Sequence, residues 1–349
     1  MEKKNELLNP INYEDATYHP SVQAMKKLVE NMNKLTAQRA IVPGKIARSD
    51  GFDVDGMIND LENRINHLPE ESAERTQLKN LLSRTISVSD LTEKLYGRFA
   101  DNKNSMFNWL KEVQYGLSKT KSELICPKTK VFRLPIELAQ FIRLEYQDTS
   151  KEDKALFNEI IFNQFELEDG KTYFIKTGTF SSKFQFANAK CFEPREMGEY
   201  FQVINNFAMR LGAGQTVDLV VREYIEDVEN NPTIYNGMPL RTEFRAFVDC
   251  DTKELIGIVP YWNPIVMKRA LKAGLSDSME ADYQTYLKHE EKLMSEYNEF
   301  LPKVRKEILE LLPELHLKGQ YSIDVMKNGN DLYVIDLALM SESALTELL

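Results

Sequence analysis

The chain has 349 residues, 44 Lys+Arg against 54 Asp+Glu, and a formal net charge of −10. That length allows two domains or one large one with a substantial core, and 42% hydrophobic with 10% aromatic residues is too apolar for a disordered chain. No run approaches the ~18 consecutive apolar residues of a membrane span. The opening segment, Met1 to Glu30, lacks the apolar core of a signal peptide. Cys126, Cys191 and Cys250 lie too far apart for a disulfide framework or a CxxC metal site. A reduced, cytoplasmic protein without a membrane partner is expected. The acidic balance argues against general coating of nucleic acid.

In chain order, the first third reads as helical. Val22, Met25, Leu28, Val29, Met32 and Leu35 recur at one-face spacing. A second stripe runs through Met57, Ile58, Leu61, Ile65 and Leu68, and a third through Leu78, Leu81, Leu82 and Ile86. Breaks are expected at Pro43-Gly44, Ser49-Asp50-Gly51 and Pro69. The charges between the stripes read as solvated faces. Residues 1–104 are therefore taken as a helical N-terminal region.

Near residue 123 the texture changes. Strand-like runs appear at Thr129 to Leu134, Tyr173 to Ile175, Val217 to Ile225, Glu243 to Val248, Leu255 to Val259, Tyr321 to Val325 and Leu332 to Leu337. Helical stretches intervene at 135–145, 152–163, 195–211 and about 266–312. Strands and helices without a strict β-α-β rhythm predict an α+β fold, not a doubly wound one.

Three stretches carry chemistry. Tyr173-Phe174-Ile175-Lys176 runs into Thr177-Gly178-Thr179-Phe180-Ser181-Ser182-Lys183. A strand lysine followed by small hydroxylated residues could offer cations and donors to phosphate oxygens; an ordinary hairpin turn with solvated lysines is the alternative. In Glu243-Phe244-Arg245-Ala246-Phe247-Val248, strand alternation puts Glu243, Arg245 and Phe247 on one face. That arginine is either half of a cross-strand ion pair or a phosphate clamp. Finally, Asp324 and Asp336 each sit in an apolar run on either side of Lys327-Asn328-Gly329-Asn330-Asp331, as on the two arms of a hairpin. A carboxylate in an apolar run needs a cation. Mg²⁺ bridging nucleotide phosphates suits two such oxygen ligands; a salt bridge to lysine or arginine is the other solution.

The order of these stretches resembles the ATP-grasp superfamily over about residues 105–349. The resemblance implies two α+β subdomains sandwiching a nucleotide, with boundaries near 105–221 and 222–349 and a helical insertion about 266–312. It implies that Lys176, Thr177, Gly178, Ser181 and Ser182 hold the phosphates of ATP. Arg222, Glu223, Tyr224 and Ile225 would form the adenine hinge, Arg245 and Lys183 would act on the phosphoryl group, and Asp324 and Asp336 would bind Mg²⁺. Pro127-Lys128-Thr129 before Phe132-Arg133-Leu134 looks like the segment that precedes many such domains. Trp109, and Tyr261-Trp262 after Glu243-Phe244-Arg245, resemble a group of bacterial members of unassigned substrate. The pattern Glu243 to Val248 with Tyr321 to Val325 and Tyr333 to Leu337 is similar to the Cdc123 (D123) family, eukaryotic ATP-grasp proteins that assist assembly of a translation initiation factor. One departure is Ala338, where many members carry Asn; a third metal contact would then fall to Ser341, Glu342 or water, or be missing.

An ADP-forming ligase joining a carboxylate to an amine or other nucleophile through an acyl phosphate is the expectation. A regulatory ATP-binding module of Cdc123 type, meeting a protein partner through residues 1–104, is the alternative. A nucleotidyltransferase would need a KxDG motif, and Lys176-Thr177-Gly178-Thr179 lacks the aspartate. The four histidines, His19, His67, His289 and His316, share no motif and are taken as structural or solvated.

Overall fold

The computed structural model describes residues 6–8, 20–41, 54–70, 72–89, 91–271 and 277–349. The breaks expected at Pro43-Gly44 and Ser49-Asp50-Gly51, and His19, lie outside the described residues. The fold is α+β. One sheet is built from β1 (Glu6–Leu8), β2 (Thr129–Arg133), β3 (Tyr173–Thr177), β4 (Lys190–Cys191) and β5 (Asp218–Glu223), in the order β1-β2-β5-β3-β4. A short hairpin follows, β6 (Thr233–Ile234) with β7 (Met238–Pro239). The other sheet is antiparallel, formed by β8 (Glu243–Asp249), β9 (Glu254–Pro260), β10 (Gln320–Asn328) and β11 (Asp331–Leu339) in the order β11-β10-β8-β9.

Helices α1 (Pro20–Ile41), α2 (Val54–Asn66), α3 (Ala73–Val88), α4 (Glu93–Ala100) and α5 (Met106–Lys119) occupy the first third. Between the strands of the first sheet come α6 (Ile136–Ile142), α7 (Lys151–Gln164), α8 (Phe186–Ala189) and α9 (Met197–Arg210). In the stretch expected as helical over about 266–312, the described residues form α10 (Pro264–Leu271) and α11 (Asp277–Leu311). No described helix is long and apolar enough to cross a membrane.

The stripes of the first three helices bury unequally. Met25, Leu28, Ile58 and Ile86 enter one core with Leu95 and Phe99 of α4 and with Phe132, Ile160, Ile175 and Leu219. Leu81 of the third stripe instead stays 48% exposed. The described helices before residue 104 thus cover a face of the first sheet. Alternate residues of its strands turn to the other face: Val131 and Val220 join Trp109, Leu110 and Val113 of α5 in a second core, shared with Phe244, Ala246, Ile323, Val325, Val334 and Leu337. With both faces covered, consecutive residues of β5 such as Leu219, Val220 and Val221 are all buried. Helix α5 was not legible as a separate helix, because its flanks carry no Pro or Gly break. It packs so closely on the end of α11 that a Cβ on Gly116 would run into Leu311.

A bulge shapes the second sheet. Asp324 lies opposite Asp336, but the next residue, Val325, lies opposite Val334. The extra residue on β11 breaks strict alternation. Val334 and Leu337 face the core, while the two residues between them, Ile335 and Asp336, both reach the space between the sheets.

Candidate active site

That space is a cleft whose walls come from both sheets, the β6–β7 hairpin and the segment after β9. Lys176, Ser181, Lys183, Arg222, Glu223, Tyr224, Ile225, Arg245, Asp324 and Asp336 all line it. Ten of the residues singled out in the sequence, separated by up to 160 positions, therefore meet in one place. Thr177, Gly178 and Ser182 do not line it.

The charged groups are paired across strands. Arg245 of β8 and Asp324 of β10 are register partners, and the guanidinium forks onto the carboxylate at 2.8 and 2.7 Å. Asp336 of β11 extends the same row, but its partner comes from the facing sheet: Lys176 Nζ donates to Asp336 Oδ2 at 2.7 Å. The Lys176 side chain is almost fully buried. Burial opposes the charge of Arg245, and the neighbouring Asp324 outweighs it, so its pKa stands above the ordinary arginine value.

Lys183 donates to the Tyr261 hydroxyl and lies over the rings of Tyr261 and Trp262. Burial pulls this ammonium down, but Tyr261, Glu243 and Asp324 together raise it above the usual lysine value. Glu243 also faces the cleft. Burial pushes its carboxyl up to about 7, against the pull of Lys183. Arg222 is buried, and desolvation lowers its pKa. Its Nε donates to Thr129 Oγ1 at 3.1 Å and its Nη2 to the Ile335 carbonyl at 3.1 Å. Thr129 in turn donates to the Pro127 carbonyl at 2.7 Å, so the Pro-x-Thr element orients this arginine.

The expected hinge is more occupied than its sequence implied. The Glu223 and Tyr224 N–H groups donate to the carbonyls of Lys128 and Thr172, and the Ile225 carbonyl accepts from Arg241 at 2.6 Å. Its side chains nonetheless line the cleft beside apolar residues: Phe186 packs between Phe174 and Tyr224, with ring separations of 6.1 and 6.3 Å.

The small-residue loop after β3 is anchored from behind. Gly178 donates to the Asp218 carbonyl at 2.7 Å and accepts from the Met106 N–H at 3.0 Å. A side chain there would run into Ser105 and Thr216. The buried Asp218 carboxylate accepts from Ser105 Oγ at 2.5 Å and Arg133 Nε at 2.8 Å. Burial raises its pKa in spite of both. Ser182 is fully buried at φ 49°, and its hydroxyl has no partner. Of the hydroxyls proposed for phosphate, only that of Ser181 reaches the cleft wall.

Several lining residues had no role in the sequence reading: Arg241, Met238, Phe186 and Met326. Arg241 is held by Asp227 at 3.2 Å. The signal for this wall was Asn236-Gly237, a hairpin-turn dipeptide; Asn236 and Gly237 have φ of 63° and 108°. Glu243 and Tyr261 appeared in the motifs, but their convergence on Lys183 did not.

As a metal site, the donor set is two carboxylates on neighbouring strands opening into one cleft. Among the described residues no group of three or more His, Cys, Asp or Glu is placed to hold an ion. Glu342, one of the candidates for a third contact, accepts from Asn104 Nδ2 at 2.6 Å. Two hard carboxylates completed by phosphate oxygens and water fit Mg²⁺, which rarely demands an all-protein cage.

No family model and no curated protein matches this chain. Solved structures similar to it include Cdc123 from Schizosaccharomyces pombe, with a TM-score of 0.42 and 15% identity over 75% of this chain and 91% of that one. A C-terminally truncated form of the same protein gives 0.40 and 15% over the same shares. A D-alanine–D-alanine ligase from Bacillus anthracis complexed with ATP gives 0.33 and 10%, over 96% of this chain and 84% of that one.

Proposed function

We propose that this chain is an ATP-grasp protein that binds Mg·ATP in the cleft between its sheets and acts as an ADP-forming ligase. The observation that carries this reading is the cross-strand row Arg245, Asp324, Asp336, faced by Lys176 from the opposite sheet. Fixed cations and hard carboxylates in one cleft are what transfer of a phosphoryl group requires, since that chemistry is mainly positioning and charge stabilisation.

Lys176 would hold phosphate oxygens after exchanging Asp336 for them. Arg245 and Lys183 would stabilise the charge that develops on the phosphoryl group, with Tyr261 fixing the Lys183 ammonium. Tyr224, Ile225, Phe174 and Phe186 would wall the base. Asp324 and Asp336 would hold Mg²⁺, which supplies neutralisation of the phosphate charge. In the reaction, an oxygen of a substrate carboxylate attacks the γ-phosphorus, the bond to the ADP oxygen breaks, and an acyl phosphate forms. An amine or other nucleophile then attacks the acyl carbon, inorganic phosphate leaves with the bonding electron pair, and the proton lost by the nucleophile passes to that phosphate or to solvent. Nothing in this sequence needs a nucleophilic Cys or a His base. ADP release that depends on an added carboxylate and amine tests it; no release with any such pair, while ATP binds, counts against the ligase.

One observation favours a second reading. Both candidate metal carboxylates already have a cationic partner, and the Arg245–Asp324 fork uses both carboxylate oxygens. A cleft closed in this way suits a regulatory module that binds ATP without turnover, with residues 1–104 meeting a protein partner. ATP binding with no ADP release, together with a partner retained on purification only in the presence of ATP, would favour it.

A further inference from the structure

Helix α11 has no part in the nucleotide reading, yet its polar side chains reach the back of the base wall. Arg241, between β7 and β8, is only 6% exposed and lines the cleft. Its Nη2 donates to the Ile225 carbonyl at 2.6 Å and its Nε to Asp227 Oδ1 at 3.2 Å, while Nη1 lies 3.4 Å from the Met326 sulfur. Asp227 also accepts from the Asn231 N–H at 2.6 Å and from Asn231 Nδ2 at 3.0 Å. Burial pushes the Asp227 carboxyl up, but Asn231 and Arg241 outweigh it and hold it below the ordinary aspartate value. Lys292 of α11 donates to Asn231 Oδ1 at 2.7 Å. A second line joins the same helix to the residue after the arginine. Glu296 accepts from Thr242 Oγ1 at 2.5 Å and pairs with the buried Lys327 of β10 at 3.4 Å. The chain leaving β5 is thus gripped at two consecutive carbonyls, Ile225 by Arg241 and Glu226 by Asn328 Nδ2 at 3.0 Å.

A buried ion pair adds little net stability over apolar residues of the same volume, whereas a guanidinium fork fixes geometry. The geometry fixed here is the course of the backbone that carries Tyr224 and Ile225, both of which line the cleft. We propose that Arg241 is a positioning residue for the nucleotide base: braced by Asp227, Asn231 and Lys292 of α11, it holds the Tyr224–Ile225 wall where the base packs. Resting on the nucleotide reading of the cleft, this makes the preference for a nucleotide over a bare polyphosphate depend on Lys292, which does not line the cleft.

The test uses the full chain and compares Mg·ATP with Mg·tripolyphosphate, which keeps the phosphates and lacks the ribose and base. Calorimetric titration with each gives the ratio of the two affinities. The parent chain is expected to favour ATP. That preference should fall roughly tenfold in Arg241→Met and roughly threefold in Lys292→Met, with the tripolyphosphate affinity unchanged in both. Overall destabilisation does not move the ratio, because both ligands bind the same folded site. The Lys292 side chain is 40% exposed, so its variant decides the matter even where losing Arg241 leaves Asp227 unpaired and the chain unfolded. A preference unchanged in Lys292→Met overturns the inference. So does an equal loss for both ligands in Arg241→Met, which would make the arginine a phosphate contact. A parent chain that binds the two ligands equally well sinks the inference and leaves the phosphate site standing. A parent chain that binds neither sinks the nucleotide reading itself.

Discussion

The Arg222 guanidinium on β5 donates to the Ile335 carbonyl on β11 at 3.1 Å, so one sheet grips the other through a backbone atom. The very next residue, Asp336, is held by Lys176 of β3. Arg222 and Phe174 are register partners on adjoining strands, so two consecutive residues of β11 are clasped by neighbouring strands of the facing sheet. The bulge makes this possible. With Val334 and Asp336 taking successive partners on β10, Ile335 is left out of that register and turns toward the cleft.

Substituting the clasp should separate binding from folding. Lys176→Met keeps the volume of a buried side chain and removes its charge. The Asp336 side chain, 36% exposed, can hydrate when unpaired. Stability is therefore expected to change by no more than about 2 kcal/mol, while ATP affinity falls tenfold or more, about 1.4 kcal/mol. Asp336→Asn should weaken Mg·ATP and leave Mg-free ATP much less affected. Calorimetric titration of both variants decides it; unchanged affinity in both would sink the site assignment.

Gly178→Ala tests the anchoring of the loop. The added methyl meets Ser105 and Thr216, whose hydroxyls serve the Asp218 network. Overpacking of this kind costs about 1–3 kcal/mol. A lower urea midpoint is expected, together with weaker ATP binding as Ser181 and Lys183 shift. A midpoint equal to that of the parent chain would show the network to be slack.

Glu243 should make stability depend on pH in the opposite sense to a paired carboxylate. Its ordinary value of 4.5 is raised to about 7 in the folded protein. Between these limits the folded chain holds a proton that the unfolded chain has released, so stability falls as pH rises through the window. Glu243→Gln abolishes that loss. Urea unfolding at about pH 5 and about pH 8 should show the parent losing on the order of 2 kcal/mol relative to the variant. Parallel behaviour of the two proteins would refute the assignment.

Nucleotide should protect the segment after the loop more than the loop itself. Thr177, Gly178 and Ser182 are buried, whereas Phe184 is 52% exposed beside Lys183. Limited chymotrypsin digestion is expected to cut after Phe184 in the free protein and several-fold more slowly with Mg·ATP. Equal rates with and without nucleotide would count against closure of Lys183 onto phosphate.

The sequence displayed the parts of the cleft better than their contacts. Lys176, Arg245, Asp324 and Asp336 stood out because a charge inside an apolar run has few explanations. Glu243 and Arg245 alternate with Phe244 and Ala246 as a pleated strand requires, and the structure sends the first pair to the cleft and the second to the core. What stayed hidden were features set by tertiary register. The bulge at Asp324 carries no local signature, so the shared orientation of Ile335 and Asp336 could not be read. The anchoring of Gly178 depends on Asp218, forty residues away in sequence and adjacent only once β3 pairs with β5. Short strands such as β4 and β7 are likewise too brief to show a period.

The saturation of Lys176 and Arg245 by Asp336 and Asp324 has a consequence for selectivity. A ligand that is to reach these two cations must compete as an anion with carboxylates already seated. A single weak negative group gains too little to displace them. A chain of phosphates arriving with its own divalent cation offers a complete exchange, oxygens for the lysine and arginine and metal for the released aspartates. The cleft would thus discriminate by charge density, rejecting common small anions before shape is consulted.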